Sequence, residues 1–197
     1  MLFDRSKKKN HTVYTLGAGV LREKARPVER IDDTIRQLAL EMTETMLVFD
    51  GIGLAAPQFG ESLRLVVLGV PQERNSGTPG EQLLLPQMPL ALVNPEIIAV
   101  SDEKSEYDEG CLSLPGIYGT VVRPQKVVLR TQLLNGEFVE VECGGLLARC
   151  VQHELDHLDG VVFSDRLAPD ELRKVRGDLD RLIKAGKSKN FRKVIKK

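Results

Sequence analysis

GLLARCVQHELDHL, residues 145–158, is the segment around which the rest of this chain is predicted to fold. The pattern of this segment predicts a helix that ends before Gly160, and its apolar first half indicates that the helix is buried. The second half carries His153, Glu154 and His157 in the spacing HExxH. Residues four apart share one helix face with Cβ atoms about 5–6 Å apart, so two imidazoles can hold one cation. Glu154 then lies within reach of a water beside that cation.

A third ligand is needed, because catalytic sites of the zinc type usually have three protein ligands and one open position. The candidates are Cys111, Cys143 and Cys150. Cys150 shares a helix face with His153, but a metal between the two histidines would lie about 7.5 Å further along the helix. We therefore predict that Cys150 and Cys143 are buried packing residues. On spacing alone, Cys111 is only the best of the three candidates.

The remaining segments predict an α+β fold, because strands and hairpins lie between helices without βαβ alternation. Mixed or antiparallel strands are expected to pack around the central metal-binding HExxH helix, with an N-terminal and a C-terminal helix beside it. The outer helices are predicted at residues 31–49 and from Pro169 to about Gly186. Strands are predicted at residues 63–70, 126–134 and 137–143, the last two joined by a hairpin turn at Asn135–Gly136.

Two segments near the middle of the chain are expected to be less regular. Residues 71–90 contain four prolines and two glycines and are predicted to be a loop. Residues 91–100 are apolar, but Pro95 cannot donate to a ladder, so this segment is predicted to be an edge or broken strand.

Length and composition indicate one ordinary globular domain with tails. The chain has 197 residues, of which 42% are hydrophobic and 28% charged. Three cysteines do not make a disulfide framework, and a reducing compartment is the simpler interpretation. No apolar run reaches the roughly 18 residues of a membrane span, so no membrane association is expected. We predict a flexible basic N-terminus at 1–12, a catalytic metal-hydrolase domain at 13–168, and a C-terminal helix and basic tail at 169–197.

The charge distribution is uneven although the net charge is zero. Residues 181–197 hold eight Lys or Arg and no acid, while the other 180 residues carry 20 basic and 28 acidic groups. A basic tail on an acidic body suggests a polyanionic partner. A solvated, disordered end is the alternative interpretation.

Three motifs in this order resemble the signature motifs of the peptide deformylase family: GIGLAAPQ (51–58), EGCLSLP (109–115) and QHELDH (152–157). The resemblance runs from about Tyr14 to Arg166. Further segments resemble the type 1B branch found in bacteria and plastids: PGIY (115–118), VVRPQKV (121–127) and HLDGVVFSDRL (157–167). The chain departs from the family at GAGVLR (17–22), where an acid usually precedes VLR.

The resemblance implies a metal site and a reaction. Cys111, His153 and His157 would be the ligands of one divalent metal ion, and Glu154 would be the general acid/base. A metal-bound water would attack the formyl carbon of an N-terminal formyl-methionine on a nascent polypeptide, which releases formate. The family implies Fe²⁺ in vivo, with Zn²⁺, Ni²⁺ or Co²⁺ as alternative ions in the purified protein.

The resemblance also implies how the substrate is held. Gln58 and the backbone N–H of Leu112 would form the oxyanion hole, and Arg123 would have a structural role. Four residues would bind the substrate: Gly51, Ile52, Gly53 and Gly110. The partners would be N-formylmethionyl nascent peptides, with ribosomal RNA as a candidate partner of the basic tail. The bacterial cytoplasm is the expected compartment, with the plastid stroma as the second alternative.

Two other functions compete with this one. The first is a metallopeptidase that cuts internal peptide bonds, but such enzymes generally take a distal Glu or His as third ligand. The only other histidine here is His11, in the N-terminal segment. The second is a structural metal module with an RNA-binding tail, which predicts a closed site with four protein ligands.

Overall fold

The structure, a computed structural model, describes residues 11–188 of the chain. The helices in this range are α1 (Asp33–Val48), α2 (Ala56–Phe59), α3 (Pro79–Leu84), α4 (Gly145–Leu158) and α5 (Pro169–Ser188). The strands are β1 (Gly53–Ala55), β2 (Leu65–Leu68), β3 (Leu90–Val100), β4 (Lys104–Cys111), β5 (Leu114–Pro124), β6 (Val127–Leu133) and β7 (Phe138–Cys143). Short 3₁₀ turns occur at Gly19–Arg22, Gln72–Arg74, Leu85–Gln87 and Phe163–Arg166. The predicted α+β class is confirmed.

The strands form two antiparallel sheets. The larger sheet has the order β1-β2-β3-β6-β7, and β4 and β5 pair as a separate hairpin. The predicted hairpin at Asn135–Gly136 is present, where Gly136 has a φ of +93° and its N–H donates to the carbonyl of Leu133. A positive φ at this position is what makes glycine suitable for the turn.

Helices α1 and α4 pack on opposite faces of the larger sheet. All four residues of β2, LVVL, are buried, and they alternate between two cores. Val66 and Leu68 belong to the core that contains α4, while Leu65 and Val67 belong to the core that contains α1. Each such side chain contributes about 1.5–3 kcal/mol when it is fully buried. The two-sided burial places the HExxH helix at the centre of the protein.

A third core joins α5 to the β4–β5 hairpin. Leu179 of α5 is buried with Leu114 and Val121 of β5, and Leu16 from the N-terminal segment completes the contact. The predicted C-terminal helix is therefore present, and its apolar residues Leu172, Val175 and Leu182 pack against the same core. The helix continues through Gly186 to Ser188, two residues beyond the predicted end.

Two local predictions are corrected by the structure. Residues 71–90 are not simply a loop, because they contain α3 and two 3₁₀ turns. Residues 91–100 belong to β3, which is a central strand and not an edge strand. The strand tolerates Pro95 because the ladder is interrupted between Val93 and Glu96, so no N–H is needed there. The β4–β5 hairpin was not predicted at all.

Parts of the predicted termini lie outside the described residues. These are 1–10 of the N-terminal segment and 189–197 of the basic tail, so the proposed divisions at 1–12 and 169–197 remain predictions. His11 is half-buried, with Nδ1 2.9 Å from the hydroxyl of Thr45. Within residues 11–188, no helix is both long enough and apolar enough to cross a bilayer.

Candidate metal centre

Helix α4 is buried from Leu147 to Leu158, which places its two histidines beneath the protein surface. His157 is fully buried, and His153 is 8% exposed. Their ring centroids are 5.2 Å apart, as expected for residues four apart on one helix. The apolar positions Leu147 and Val151 fix the orientation of this face by packing against the sheet.

Cys111 brings a sulfur atom to the same two histidines from another part of the fold. It ends β4, where the hairpin register shifts between Gly110 and Cys111. Its Sγ lies 3.2 Å from Nε2 of His157. One donor atom from each of Cys111, His153 and His157 lies within 4.8 Å of the other two. The structure therefore brings together the three residues that the sequence singled out as ligands.

The other two cysteines are buried and are not among the three converging donors, as predicted. Cys143 is fully buried in the core beside α4. Cys150 is buried too, and its Sγ lies 3.4 Å from the carbonyl oxygen of Ile52. Burial raises the pKa of the Cys143 thiol to about 12 and raises that of Cys150 well above its usual value. Both thiols therefore stay protonated near neutral pH and behave as small apolar groups.

A buried carboxylate fixes the orientation of His153. Nδ1 of His153 lies 2.9 Å from Oε2 of Glu109. Burial alone would raise the pKa of Glu109, but hydrogen bonds from Arg123 and His153 outweigh it and lower the pKa to about 2. An ionised carboxylate can only accept, so Nδ1 donates and Nε2 of His153 is left for another partner.

The same carboxylate belongs to a larger buried ion-pair network. Arg123 donates to both oxygens of Glu109, at 2.7 and 2.9 Å, and to Asp156 at 2.8 Å. Arg149 donates to Glu109 at 3.0 Å, and Arg166 donates to Asp156. Asp156 is thus a salt-bridged helix residue and not one of the three converging donors. Glu109 belongs to the site through its contacts with His153 and Arg149, although no local sequence pattern indicates this role.

The donor set suits a divalent ion of intermediate softness. One sulfur and two imidazole nitrogens are typical ligands of Zn²⁺ and of the neighbouring transition metals. Burial and the charge of His153 lower the pKa of His157 well below its usual value, so this ring is neutral. Burial opposes protonation of His153, but hydrogen bonds with Cys111 and Glu109 raise its pKa well above the usual value.

Glu154 lies beside these donors with an unused oxygen. Its Oε2 has no hydrogen-bond partner among residues 11–188, although the residue is only 4% exposed. Burial raises the pKa of Glu154 to about 7. A Cβ at Gly53 would lie 2.3 Å from Oε1 of Glu154, so any side chain at that position of β1 would displace the carboxylate. A buried carboxylate with a free oxygen and a raised pKa can accept and release a proton near neutral pH.

Gln58 presents its amide nitrogen to the same space. Its Oε1 accepts the N–H of Ala55 at 2.8 Å, which fixes the side-chain amide in one orientation. Its Nε2 therefore points toward Ser113 Oγ, at 3.2 Å, and toward Cys111 Sγ, at 3.4 Å. The side chain is 1% exposed and rigidly held. It can donate to a small ligand atom next to the sulfur.

A cavity of about 480 Å³ opens onto these groups. Nine of the ten residues singled out in the sequence line it: Gly51, Ile52, Gly53, Gln58, Gly110, Cys111, Leu112, His153 and Glu154. His157, the tenth, lies behind them and is fully buried. Tyr107, Tyr118 and Arg149 also line the cavity, and nothing in the sequence had placed them there.

Comparison with known proteins gives one consistent family. The family model described as polypeptide deformylase matches residues 10–173. "Peptide deformylase 2" of Gloeobacter violaceus is 46% identical over 155 residues, which cover 79% of this chain and 78% of the relative. The peptide deformylase of Chlorobium limicola is 47% identical over 163 residues, which cover 83% of this chain and 83% of the relative.

Solved structures agree with the sequence relatives. The crystal structure of Arabidopsis thaliana peptide deformylase 1B in complex with an inhibitor is similar, with a TM-score of 0.78 at 36% identity. The match covers 89% of this chain and 92% of that one. A peptide deformylase from Plasmodium falciparum gives a TM-score of 0.79 at 31% identity, over 91% of this chain and 99% of that one. The chain therefore belongs to the polypeptide deformylase family of metal-dependent enzymes, which remove the N-formyl group from nascent peptides.

Proposed function

We propose that Cys111, His153 and His157 hold one divalent metal ion at which this chain hydrolyses the formamide of N-formylmethionyl peptides. The observation that carries the proposal is the convergence of the three donor atoms beside the unpaired oxygen of Glu154, at the wall of an open cavity. When bound, the ion supplies Lewis acidity that polarises a carbonyl oxygen and makes a water molecule a stronger acid.

Glu154 carries the proton in this proposal. Its Oε2 takes a proton from the attacking water and delivers it to the amine that leaves as the formamide bond breaks. The raised pKa of Glu154, about 7, supports both halves of this transfer near neutral pH. Products are formate and the free amino terminus of the peptide.

Gln58 and Leu112 stabilise the negative charge that develops on the formyl oxygen. Nε2 of Gln58 is fixed in a donating orientation by the N–H of Ala55. Leu112 follows Cys111 directly, so its N–H lies next to the sulfur ligand. Donors that are placed before the reaction contribute most to such stabilisation, because nothing must reorganise as the charge forms.

The peptide is held by backbone groups at one wall of the cavity. Gly51 and Ile52 lead into β1, whose first residue is Gly53 and which pairs with β2 on one side. Gly110 lies on the wall formed by the β4–β5 hairpin. We propose that the substrate backbone pairs with these residues while the methionine side chain occupies the cavity.

Formate release tests the proposal directly. The metal-loaded protein is expected to release one formate per formyl-Met-peptide and to leave the matched unformylated peptide intact. Cleavage of internal bonds without formate release would reject deformylation and support the metallopeptidase alternative. A protein without either activity, whose metal has four protein ligands, would support the structural metal module.

We further propose Fe²⁺ as the ion used in vivo, with Zn²⁺, Ni²⁺ or Co²⁺ able to replace it in the purified protein. Thiolate and imidazole ligands suit all four ions, and affinity alone does not decide which is used in cells. Anaerobic purification followed by elemental analysis tests this choice. Predominant iron with loss of activity in air is expected, and stoichiometric zinc with full activity would contradict it.

The basic tail is proposed to contact ribosomal RNA. The support is its composition, since residues 181–197 contain eight basic groups and no acid. Removal of residues 189–197, which carry five of these eight basic groups, should weaken co-sedimentation with ribosomes in a salt-dependent way. Turnover of a short formylated peptide should stay normal. Equal binding of the truncated and full-length chains at low salt would contradict the contact.

Two finer assignments follow from the relatives. We propose the bacterial cytoplasm as the compartment, because several of the matched relatives are bacterial, and the plastid stroma as the second alternative. We also propose the type 1B branch, to which the matched Arabidopsis enzyme is assigned.

A further inference from the structure

The two proposed oxyanion donors lie on different parts of the fold. Gln58 is in α2, directly after β1 of the larger sheet. Leu112 is in the turn of the separate β4–β5 hairpin. The bonds from Gln58 Nε2 to Ser113 Oγ and Cys111 Sγ already join the two parts, but they use the donor group itself. A main-chain link between the two sheets can fix the distance between the donors without using either of them.

Residues 14–17, here called the N-terminal strap, make such a link with main-chain hydrogen bonds. The N–H of Tyr14 donates to the carbonyl of Gln58 at 2.8 Å. The N–H of Leu16 donates to the carbonyl of Ser113 at 2.9 Å, one residue beyond Leu112. The strap thus bonds to one donor residue itself and to the neighbour of the other.

The strap is held tightly at both ends. The ring of Tyr14 lies so close to Gly60 that a Cβ there would be 2.6 Å from Cε2 of the ring. At the other end, the strap packs against α5. A Cβ at Gly186 would lie 2.5 Å from the carbonyl oxygen of Leu16 and 3.0 Å from Cα of Gly17. These neighbours of Gly186 are backbone atoms, which cannot rotate away.

We infer that the N-terminal strap, clamped by α5 at Gly186, is a positioning element that sets the distance between the Gln58 amide and the Leu112 N–H. The inference rests on the oxyanion roles given under the proposed function. Catalytic geometry must be held within about 0.5 Å to be productive. A displacement of Leu16 by a few tenths of an ångström would pass to Ser113 through their hydrogen bond and would misplace the adjacent donor.

Gly186→Ala tests the clamp, and Gly177→Ala is its matched control on the same helix. A Cβ at Gly177 meets no atom within 4 Å. We expect kcat of the metal-loaded Gly186→Ala enzyme to fall about tenfold, since small misplacements of reacting groups have effects of this order. KM should change less than twofold, because the donors act in the transition state. Gly177→Ala should retain the wild-type kcat and KM.

A spectroscopic readout separates positioning from damage to the metal site. The visible absorption of the Co²⁺-loaded protein reports the ligand set, and it should be the same in Gly186→Ala and wild type. A lower melting temperature with unchanged kcat would overturn the inference, because the clamp would then serve stability alone. A changed cobalt spectrum would overturn it too, because the metal site would then be the part affected.

Tyr14→Ala tests the strap from the end near Gln58 and leaves every backbone bond in place. Tyr14 is half-buried, so the variant should fold. Its kcat should fall severalfold at unchanged KM, and Tyr14→Phe, which restores the ring, should recover most of the loss. Wild-type kcat in Tyr14→Ala would contradict the inference.

The Gln58→Leu variant distinguishes failure of this inference from failure of the proposed function. If Gln58→Leu keeps the wild-type kcat as well, the proposed oxyanion role fails. If only the strap and clamp variants keep the wild-type kcat, the positioning inference fails and the oxyanion role stands.

Discussion

The carboxylate of Glu109 accepts a hydrogen bond from Nδ1 of His153 at 2.9 Å and is held on its other side by Arg123. This contact determines which imidazole nitrogen of His153 can face a metal ion. Both residues of the Glu109–Arg123 pair are at most 6% exposed, so the pair is shielded from solvent. The ligand geometry at His153 is thus set by a charge pair formed between β4 and β5.

Replacement of Glu109 with Gln should weaken metal binding. The loss of an outer partner of a metal-bound histidine typically lowers metal affinity about 10–100-fold. The variant also leaves two arginines less well paired, which should lower the free energy of unfolding by about 3 kcal/mol. Competition with a chelator measures the affinity of the folded fraction. Glu106→Gln, an exposed site on the same strand, is the control and should change neither quantity.

Glu154→Ala should give a protein that binds metal normally but is nearly inactive. A positioned proton carrier contributes about 10²–10⁴-fold to the rate, and no second carboxylate with an unpaired buried oxygen was found among residues 11–188. Metal content by elemental analysis and formate release should be measured on the same sample. Substantial turnover in this variant would remove Glu154 as the proton carrier.

Gln58→Leu should lower kcat by about 10²–10³ while the metal is retained. Leucine has a similar size but cannot donate, so the developing charge on the formyl oxygen loses one of its two proposed donors. Initial rates of formate release at saturating substrate measure the effect. An unchanged kcat would show that Gln58 only supports the loop through its bond with Ala55.

Glu81 predicts an acid-sensitive contribution to stability away from the metal site. Its buried carboxylate accepts bonds from the N–H of Ser76, at 2.9 Å, and from the N–H and hydroxyl of Thr78, at 3.1 and 2.7 Å. Burial raises the pKa of Glu81, but the hydrogen bonds from Ser76 and Thr78 outweigh it and hold the pKa below 4.5. The stabilisation is therefore present above pH 4.5 and is lost as the pH falls through the lowered pKa.

Denaturant unfolding of wild type and Glu81→Gln at two pH values measures this contribution. At pH 7 the variant should be less stable by about 2 kcal/mol, since it loses bonds to a charged acceptor. The difference should shrink at the acidic pH, as the pH falls through the lowered pKa and Glu81 takes up a proton. Glu73→Gln, an exposed site in the same segment, should not differ from wild type at either pH. A difference that is constant with pH would contradict the account.

Strongly periodic segments could be predicted from the sequence. The helix at 145–158 was predicted with the bounds that the structure gives it, and α1 and the β6–β7 hairpin were found within two residues. In these elements, the helical spacing of the apolar residues and the Asn135–Gly136 turn indicate the same structure that is found. The structure adds that the Asp32 side chain accepts the N–H of Ile35 at the start of α1.

Other elements were missed because their local signals conflict. The β4 strand carries charged residues that are exposed, such as Glu106, so its pattern does not resemble a typical strand. Helix α3 was hidden by Pro79 and Gly80, although Thr78 and Glu81 have the spacing of a capping box. The position of β3 depends on pairing with β2 and β6, which no local pattern encodes.

Only part of the candidate site could be predicted, because only some of its residues are close to one another in sequence. His153 and His157 are neighbours on one helix, so their spacing alone places them together. Cys111 is 42 residues away in sequence, and spacing made it only one of three candidates. The partnership of Glu109 with His153 joins β4 to α4 and has no local signature, so sequence reasoning could not supply it.

X-ray absorption spectroscopy of the Zn²⁺-loaded protein tests the central claim most directly, because it counts the atoms around the ion. The account predicts one sulfur at about 2.3 Å, two nitrogens at about 2.0–2.1 Å and one further light atom from solvent. A shell without sulfur, or one with two sulfurs, would contradict the assignment of Cys111, His153 and His157 as the ligands.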